Sequence, residues 1–209
     1  MAKLKDGIFG PASGSVGNVI ISSRNGVPYI RSKPAKVRNP RTPKQLEARL
    51  KLSLLNKLLS RLKPVLPVGF PVLPPGKSAR DVAYSINYPK VFKGEYPNVE
   101  PDYSKLSISS GRLPVADNIS STLSDSQIKV TWQNGSGERN HDLVMLVAYN
   151  PDVDQLEYSL RAAERRSEQA ALSLPDDMLS PPANLHCWIS FISPDGRMCS
   201  DSVYLADSF

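Results

Sequence analysis

The chain has 209 residues, 40% hydrophobic and 22% charged, with nineteen prolines and two cysteines. This composition supports a packed core, arranged as one domain with an appendage or as two small domains, and no apolar run reaches the 18 or so residues of a membrane helix. The formal charge of +6 is unevenly placed: residues 1–63 carry fourteen Lys/Arg against Asp6 and Glu47, a net of +12, while residues 64–209 carry twelve against eighteen Asp/Glu, a net of −6. A chain polarised in this way can bind a polyanion through its first part, or a second copy of itself head to tail. The opening residues, MAKLKDGIFG, have no apolar leader core. They predict a protein kept in the cytosol, exported without a cleaved leader, or built into an assembled particle.

Residues 14–33 read GSVGNVIISSRNGVPYIRSK. Asn25-Gly26 between two β-branched runs predicts a hairpin with strands near 16–23 and 27–32, because both turn residues must accept positive φ. Gly7, Gly10, Gly14 and Gly17 are followed by no lysine-serine pair and no helix, so they predict a flexible lead-in rather than a phosphate loop. Residues 33–41 are an extended basic linker. Then Thr42, Pro43 and Gln45 have the pattern of an N-cap, a first-turn proline and a capping box. Leu46, Leu50, Leu54, Leu58 and Leu62 recur every fourth residue, and Leu55 and Leu59 widen the stripe. The pattern predicts an amphipathic helix of about 20 residues, about 30 Å long, ended by Pro64. Burying each leucine is worth roughly 1.5–3 kcal/mol, more than its solvated charges contribute. The helix is therefore first a packing element, against this chain or against a neighbour.

Residues 64–76 (PVLPVGFPVLPPG) are too interrupted by proline for a regular element and predict an extended surface segment. Ala79, Val82, Ala83 and Ile86 predict a short second helix within 77–88, and 89–104 reads as a loop. From Lys105 the pattern becomes strands between turns: 105–109, 127–132, 142–150, 155–163, 168–174, 185–193 and 197–205. This count and spacing fit an antiparallel β-sandwich. The expected organisation is α+β: a basic hairpin-plus-helix region over 1–63, a proline-rich connector over 64–104, and a sandwich over 105–209.

The search for chemistry gives no catalytic constellation. His141 precedes Asp142, but no serine sits on a strained nucleophile turn. His186 and Cys187 are adjacent on an alternating strand and face opposite sides, and Cys187 and Cys199 lack zinc-site spacing. The two cysteines fit neighbouring strands of a hairpin, as small core residues or as a disulfide pair. Asp152 and Asp154 alternate like calcium ligands without the glycine and closing glutamate of an EF-hand, and read as a solvated turn. Arg161, Arg165 and Arg166 read as a solvated basic cluster. No cofactor, metal or small-molecule substrate is expected. What remains is a basic strip of Arg24, Arg31, Lys33, Lys36, Arg38, Arg41 and Lys44, with Tyr29 its one aromatic. It suits an acidic protein surface, such as this chain's own C-terminal half, or the phosphates of a nucleic acid.

Trp132 ending one strand, Tyr149 in the next, and Leu174-Pro175 before an aromatic-rich strand give the C-terminal half a pattern that resembles a fibronectin type III-like sandwich. Trp188 and Phe191 stand where the fibronectin tyrosine is expected. The string GSVGNVIISSRNGVPYIRSKP, followed by NPRTPKQLEAR, resembles an uncharacterised family of Bacteroidota proteins across nearly the whole chain. These resemblances imply a shared architecture and a binding or spacer module, without an activity. The expected function is non-catalytic assembly, with itself or with a larger particle such as a lattice, shell or phage-like tail; the alternative is nucleic-acid binding through the basic strip.

Overall fold

The computed structural model of the chain describes residues 3–4, 12–24, 27–36, 39, 41–135, 139–179 and 184–205. Its class is α+β, with three α-helices and antiparallel strands in several sheets among the described residues. Strands β1 (Lys3–Leu4), β2 (Ala12–Val16), β3 (Val19–Arg24) and β4 (Val27–Ser32) form a four-stranded meander in that order. The β3–β4 hairpin pairs Ile21 with Ile30. The Asn25-Gly26 turn on which its prediction rested lies outside the described residues.

Helix α1 (Pro43–Arg61) starts at the N-cap Thr42 with Pro43 in its first turn. The capping box expected there is not formed: the Thr42 side chain accepts no bond, and Gln45 and Leu46 donate their N–H to its carbonyl instead. A capping box occurs at α3 (Ala79–Asn87), where Ser78 and Asp81 bond each other's backbone N–H. Between them, residues 72–76 are exposed and irregular as expected, but residues 65–70 depart from the expected surface segment. A one-turn helix, α2 (Leu66–Gly69), forms, and Val65, Leu66 and Phe70 are buried. Proline is compatible with a helix in its first turn, and the apolar residues around Pro67 supply the drive to bury it. Gly69 is required by a close approach: a Cβ there would stand 2.1 Å from the Ile108 carbonyl oxygen. A small ladder, β5 (Phe92–Lys93) with β6 (Glu100–Pro101), follows.

The C-terminal strands form two sheets. One, in the order β11-β8-β7, holds β7 (Asp117–Ser124), β8 (Gln127–Gln133) and β11 (Gln169–Ser173). The other, in the order β10-β9-β12-β13, holds β9 (Leu143–Asn150), β10 (Gln155–Glu164), β12 (His186–Ile192) and β13 (Val203–Leu205). Six of the seven expected strands have counterparts here. Residues 105–109 are not a strand, and β7 was not predicted. Its sequence, DNISSTLS, alternates too weakly in hydrophobicity to announce a half-exposed edge.

The β9–β12 pair is covered on both faces. Val144, Leu146, Ala148, Cys187, Ile189 and Phe191 meet Ile128, Val130 and Trp132 of the three-stranded sheet. The alternate residues Met145, Val147, Tyr149, Trp188 and Ile192 meet the leucines of α1, together with Val65, Phe70 and Ala83. Burial on both faces explains why β9 is apolar at almost every position rather than at every second one. It also settles the fate of the helix. Leu55, Leu58, Leu59 and Leu62 are buried within this chain, while Leu46, Leu50 and Leu54 are half-buried and Leu52 is exposed. Cys187 and Cys199 are both free and lie in these two different cores.

Candidate functional site

Cross-strand register divides the N-terminal sheet into unlike faces. Val16 opposes Val19, and Ile21 opposes both Gly14 and Ile30, so these residues share one face. None is buried: Ile30 is 71% exposed, Val16 57% and Val19 38%. The other face carries Arg24, Tyr29 and Arg31, brought together because Ile20 opposes Arg31 and Ser22 opposes Tyr29. Tyr29 and Arg31 are exposed. Arg24 pairs with Asp81 of α3 at 2.8 Å. Ser78 hydrogen bonds first, and Arg24 after them, hold the Asp81 carboxyl below its ordinary range.

The basic linker continues from this sheet. The Lys33 N–H closes onto the Asn18 carbonyl at 2.6 Å, and the side chains of Lys33, Lys36, Arg41 and Lys44 are in exposed residues. Arg38 lies outside the described residues. Arg49 of α1 hydrogen-bonds Asn39, tying the linker to the helix.

The acidic turn after β9 keeps Asp152 and Val153 exposed, as expected of a solvated turn, but engages Asp154. Asp154, at a positive φ of 53°, accepts from the Tyr149 hydroxyl at 2.9 Å and from Arg61 at 2.6 and 3.1 Å, with Lys57 at 3.8 Å. The Arg61 hydrogen bond, chiefly, keeps its carboxyl below the ordinary range. The end of α1 is thereby pinned to the sheet. Arg165 also departs from its reading as a solvated residue. It is 4% exposed, donates to the Asn134 side chain and the Pro114 carbonyl at 2.8 and 2.7 Å, and lies 4.5 Å over the Phe191 ring. Its partner Asp142, at 3.9 Å, is equally buried, and desolvation pushes that carboxyl up despite the two nearby arginines.

A second feature is one that sequence reasoning missed. At the β6 end of the molecule, His186 on β12 stacks on Tyr103 with ring centroids 4.1 Å apart, and its Nδ1 is 2.7 Å from the Tyr204 hydroxyl. Burial, with Lys93 second, lowers the His186 pKa to about 4, so the ring is neutral near pH 7. Above it opens a cleft of about 410 Å³ whose rim includes Glu100, Ser104, Asp152 and Asn184. Its parts come from five separated stretches of chain, and only the alternation of β12, which aims His186 away from Cys187, was legible beforehand. Burial also raises the thiols, Cys199 to about 11, so neither is an activated nucleophile. Among the described residues no group of three or more His, Cys, Asp or Glu is arranged to hold a metal ion, and no helix is long and apolar enough to cross a membrane.

The fold and these surfaces define a chain of α+β class with an amphipathic N-terminal sheet and a doubly covered central sheet. Residues 11–206 match the model of DUF6266, described as a family of unknown function, and the chain belongs to that family. No curated protein matches it.

Proposed function

We propose that this protein is a non-catalytic structural or interaction module that assembles with further copies of itself, or into a larger particle, through its N-terminal sheet and basic linker. The observation that carries the reading is the apolar sheet face of Val16, Val19, Ile21 and Ile30, none of them buried and three of them exposed, with no cover among the described residues. A sheet of a few strands needs one face packed to be stable in water, and an uncovered apolar face marks an interaction surface. A second copy is the favoured occupant because the +12 of residues 1–63 complements the −6 of residues 64–209.

Within this reading the C-terminal half is a fibronectin type III-like sandwich. The division into three and four strands, with the chain crossing between the sheets after β8, β10 and β11, supports it. The N-terminal string ties the reading to uncharacterised Bacteroidota proteins. A shell, lattice or phage-like tail is the kind of assembly that suits such a module.

Light scattering across protein and salt concentrations tests the proposal. A defined oligomer that forms without nucleic acid supports it, and a monomer at every concentration sinks it. One observation favours a second reading, nucleic-acid binding: Arg24, Tyr29 and Arg31 share a face beside the basic linker. Duplex DNA added to the same samples separates the two. Binding that weakens steeply with salt, by a monomer, supports the second.

A further inference from the structure

We propose that the cleft over Tyr103 and His186 is a binding site for a neutral saccharide. This goes beyond the assembly reading and does not depend on it. The cleft joins two features that a sugar ring needs. Its floor is aromatic: Tyr103 lies flat on His186, and the imidazole is locked by the Tyr204 hydroxyl on one side and backed by Trp188 with centroids 6.3 Å apart. Such a floor offers a π-face to the C–H bonds of a pyranose, and its rings lose little freedom on binding.

The rim is polar and planar. Asn184 donates to the Asp152 carboxylate at 3.4 Å, a long bond that leaves both groups with unused capacity. A carboxylate that accepts, beside an amide that both donates and accepts, matches neighbouring sugar hydroxyls, which do both. Ser104 and Glu100 extend this edge. A concave site with an apolar floor and a few oriented polar groups is the usual form of a small-molecule site.

Charge narrows the ligand class. Three carboxylates line the cleft, which disfavours phosphates and other anions. Two of the three already have cations: Asp102 has Lys105 at 2.9 Å, and Glu100 has Lys93 at 3.9 Å. The remaining field is too weak to require a cationic ligand, so a neutral polyol fits best. Neither thiol lines the cleft, and the only imidazole there is committed to Tyr204.

The test is titration of the full chain with neutral trisaccharides (maltotriose, cellotriose, mannotriose and triacetylchitotriose), read by the emission of Trp188 in a Trp132→Phe background. A peptide of residues 33–44 is the cationic control. The expected result is saturable binding of at least one sugar, weakened about ten-fold or more by Asn184→Ala and by Tyr103→Ala. Asn184 is exposed, so its variant keeps the test decisive if Tyr103→Ala fails to fold. Binding of no sugar, sugar binding that Asn184→Ala leaves unchanged, or binding of the peptide alone would overturn the proposal.

Discussion

The β9–β12 pair and the N-terminal meander are both antiparallel, both begin from β-branched and aromatic sequence, and end in opposite situations. In the first, alternate residues fill two different cores, and β9 is buried from Val144 to Asn150. In the second, no side chain described between residues 13 and 36 is buried. Hydrophobic sequence alone does not decide which outcome a sheet meets. The decisive factor is what the rest of the chain can lay against it. The central sheet has a second sheet on one face and α1 to α3 on the other. The N-terminal sheet is joined to the body by the Arg24–Asp81 pair, an exposed ion pair of the kind worth roughly 0–1 kcal/mol.

Substitutions sharpen this contrast. The largest effect is expected for Arg165→Ala, which takes the buried arginine from the Asp142 carboxylate, the Asn134 side chain and the Pro114 carbonyl and should cost about 3–5 kcal/mol in urea unfolding. Leu59→Ala removes a wholly buried side chain and should cost about 2–5 kcal/mol. Leu52→Ala, two turns earlier on nearly the same stripe but exposed, should stay within about 0.5 kcal/mol. Equal losses from the two leucines would mean that α1 is not docked as described.

Acid should weaken the body next. The folded His186 is held to about 4 against an ordinary value of 6.5, so the unfolded chain binds its proton first. The stability gained from keeping the ring neutral is full above about pH 6.5, falls as the pH drops from there to about 4, and is gone below. The change is on the order of 2 kcal/mol, discounted because the ring edge borders a cleft. Unfolding midpoints of the wild type and His186→Phe, measured between pH 7 and 4, check it: the slope should flatten in the variant. The smallest effect on stability belongs to Ile30→Ser, within about 0.5 kcal/mol. Its consequence should appear instead as a lower mass by light scattering. A large loss of stability with no change in mass would reverse the contrast between the two sheets.

Much of this was legible in the sequence where the pattern repeats. The leucine period located α1, the unbroken apolar run located β9, and two β-branched runs located the β3–β4 hairpin. The target of α1 was not legible, because a leucine stripe is the same whether a sheet of its own chain or a neighbour covers it. Nor was the burial of Val65 to Phe70, where proline hides the apolar drive, or the role of Asp154, whose partner Arg61 is 93 residues away. The basic residues were read as one strip, yet strand pairing gathers only Arg24, Tyr29 and Arg31 onto a common face. The cleft was invisible for the same reason: its rings and rim meet only after the connector folds over the sheet.

The shared sheet has a consequence for how the body comes apart. Trp188 belongs to the core under the helices and Trp132 to the core between the sheets, and they are the chain's two tryptophans. Water admitted to either core strips one face from β9 and β12 and removes the support of the other. The two compartments should therefore melt as one cooperative unit. Emission from Trp132→Phe and from Trp188→Phe, each scaled to its own baselines, should trace a transition of the same steepness. The backbone amides of Leu146 and Ile189, at the centre of the pair, should be among the last in the chain to exchange with deuterium.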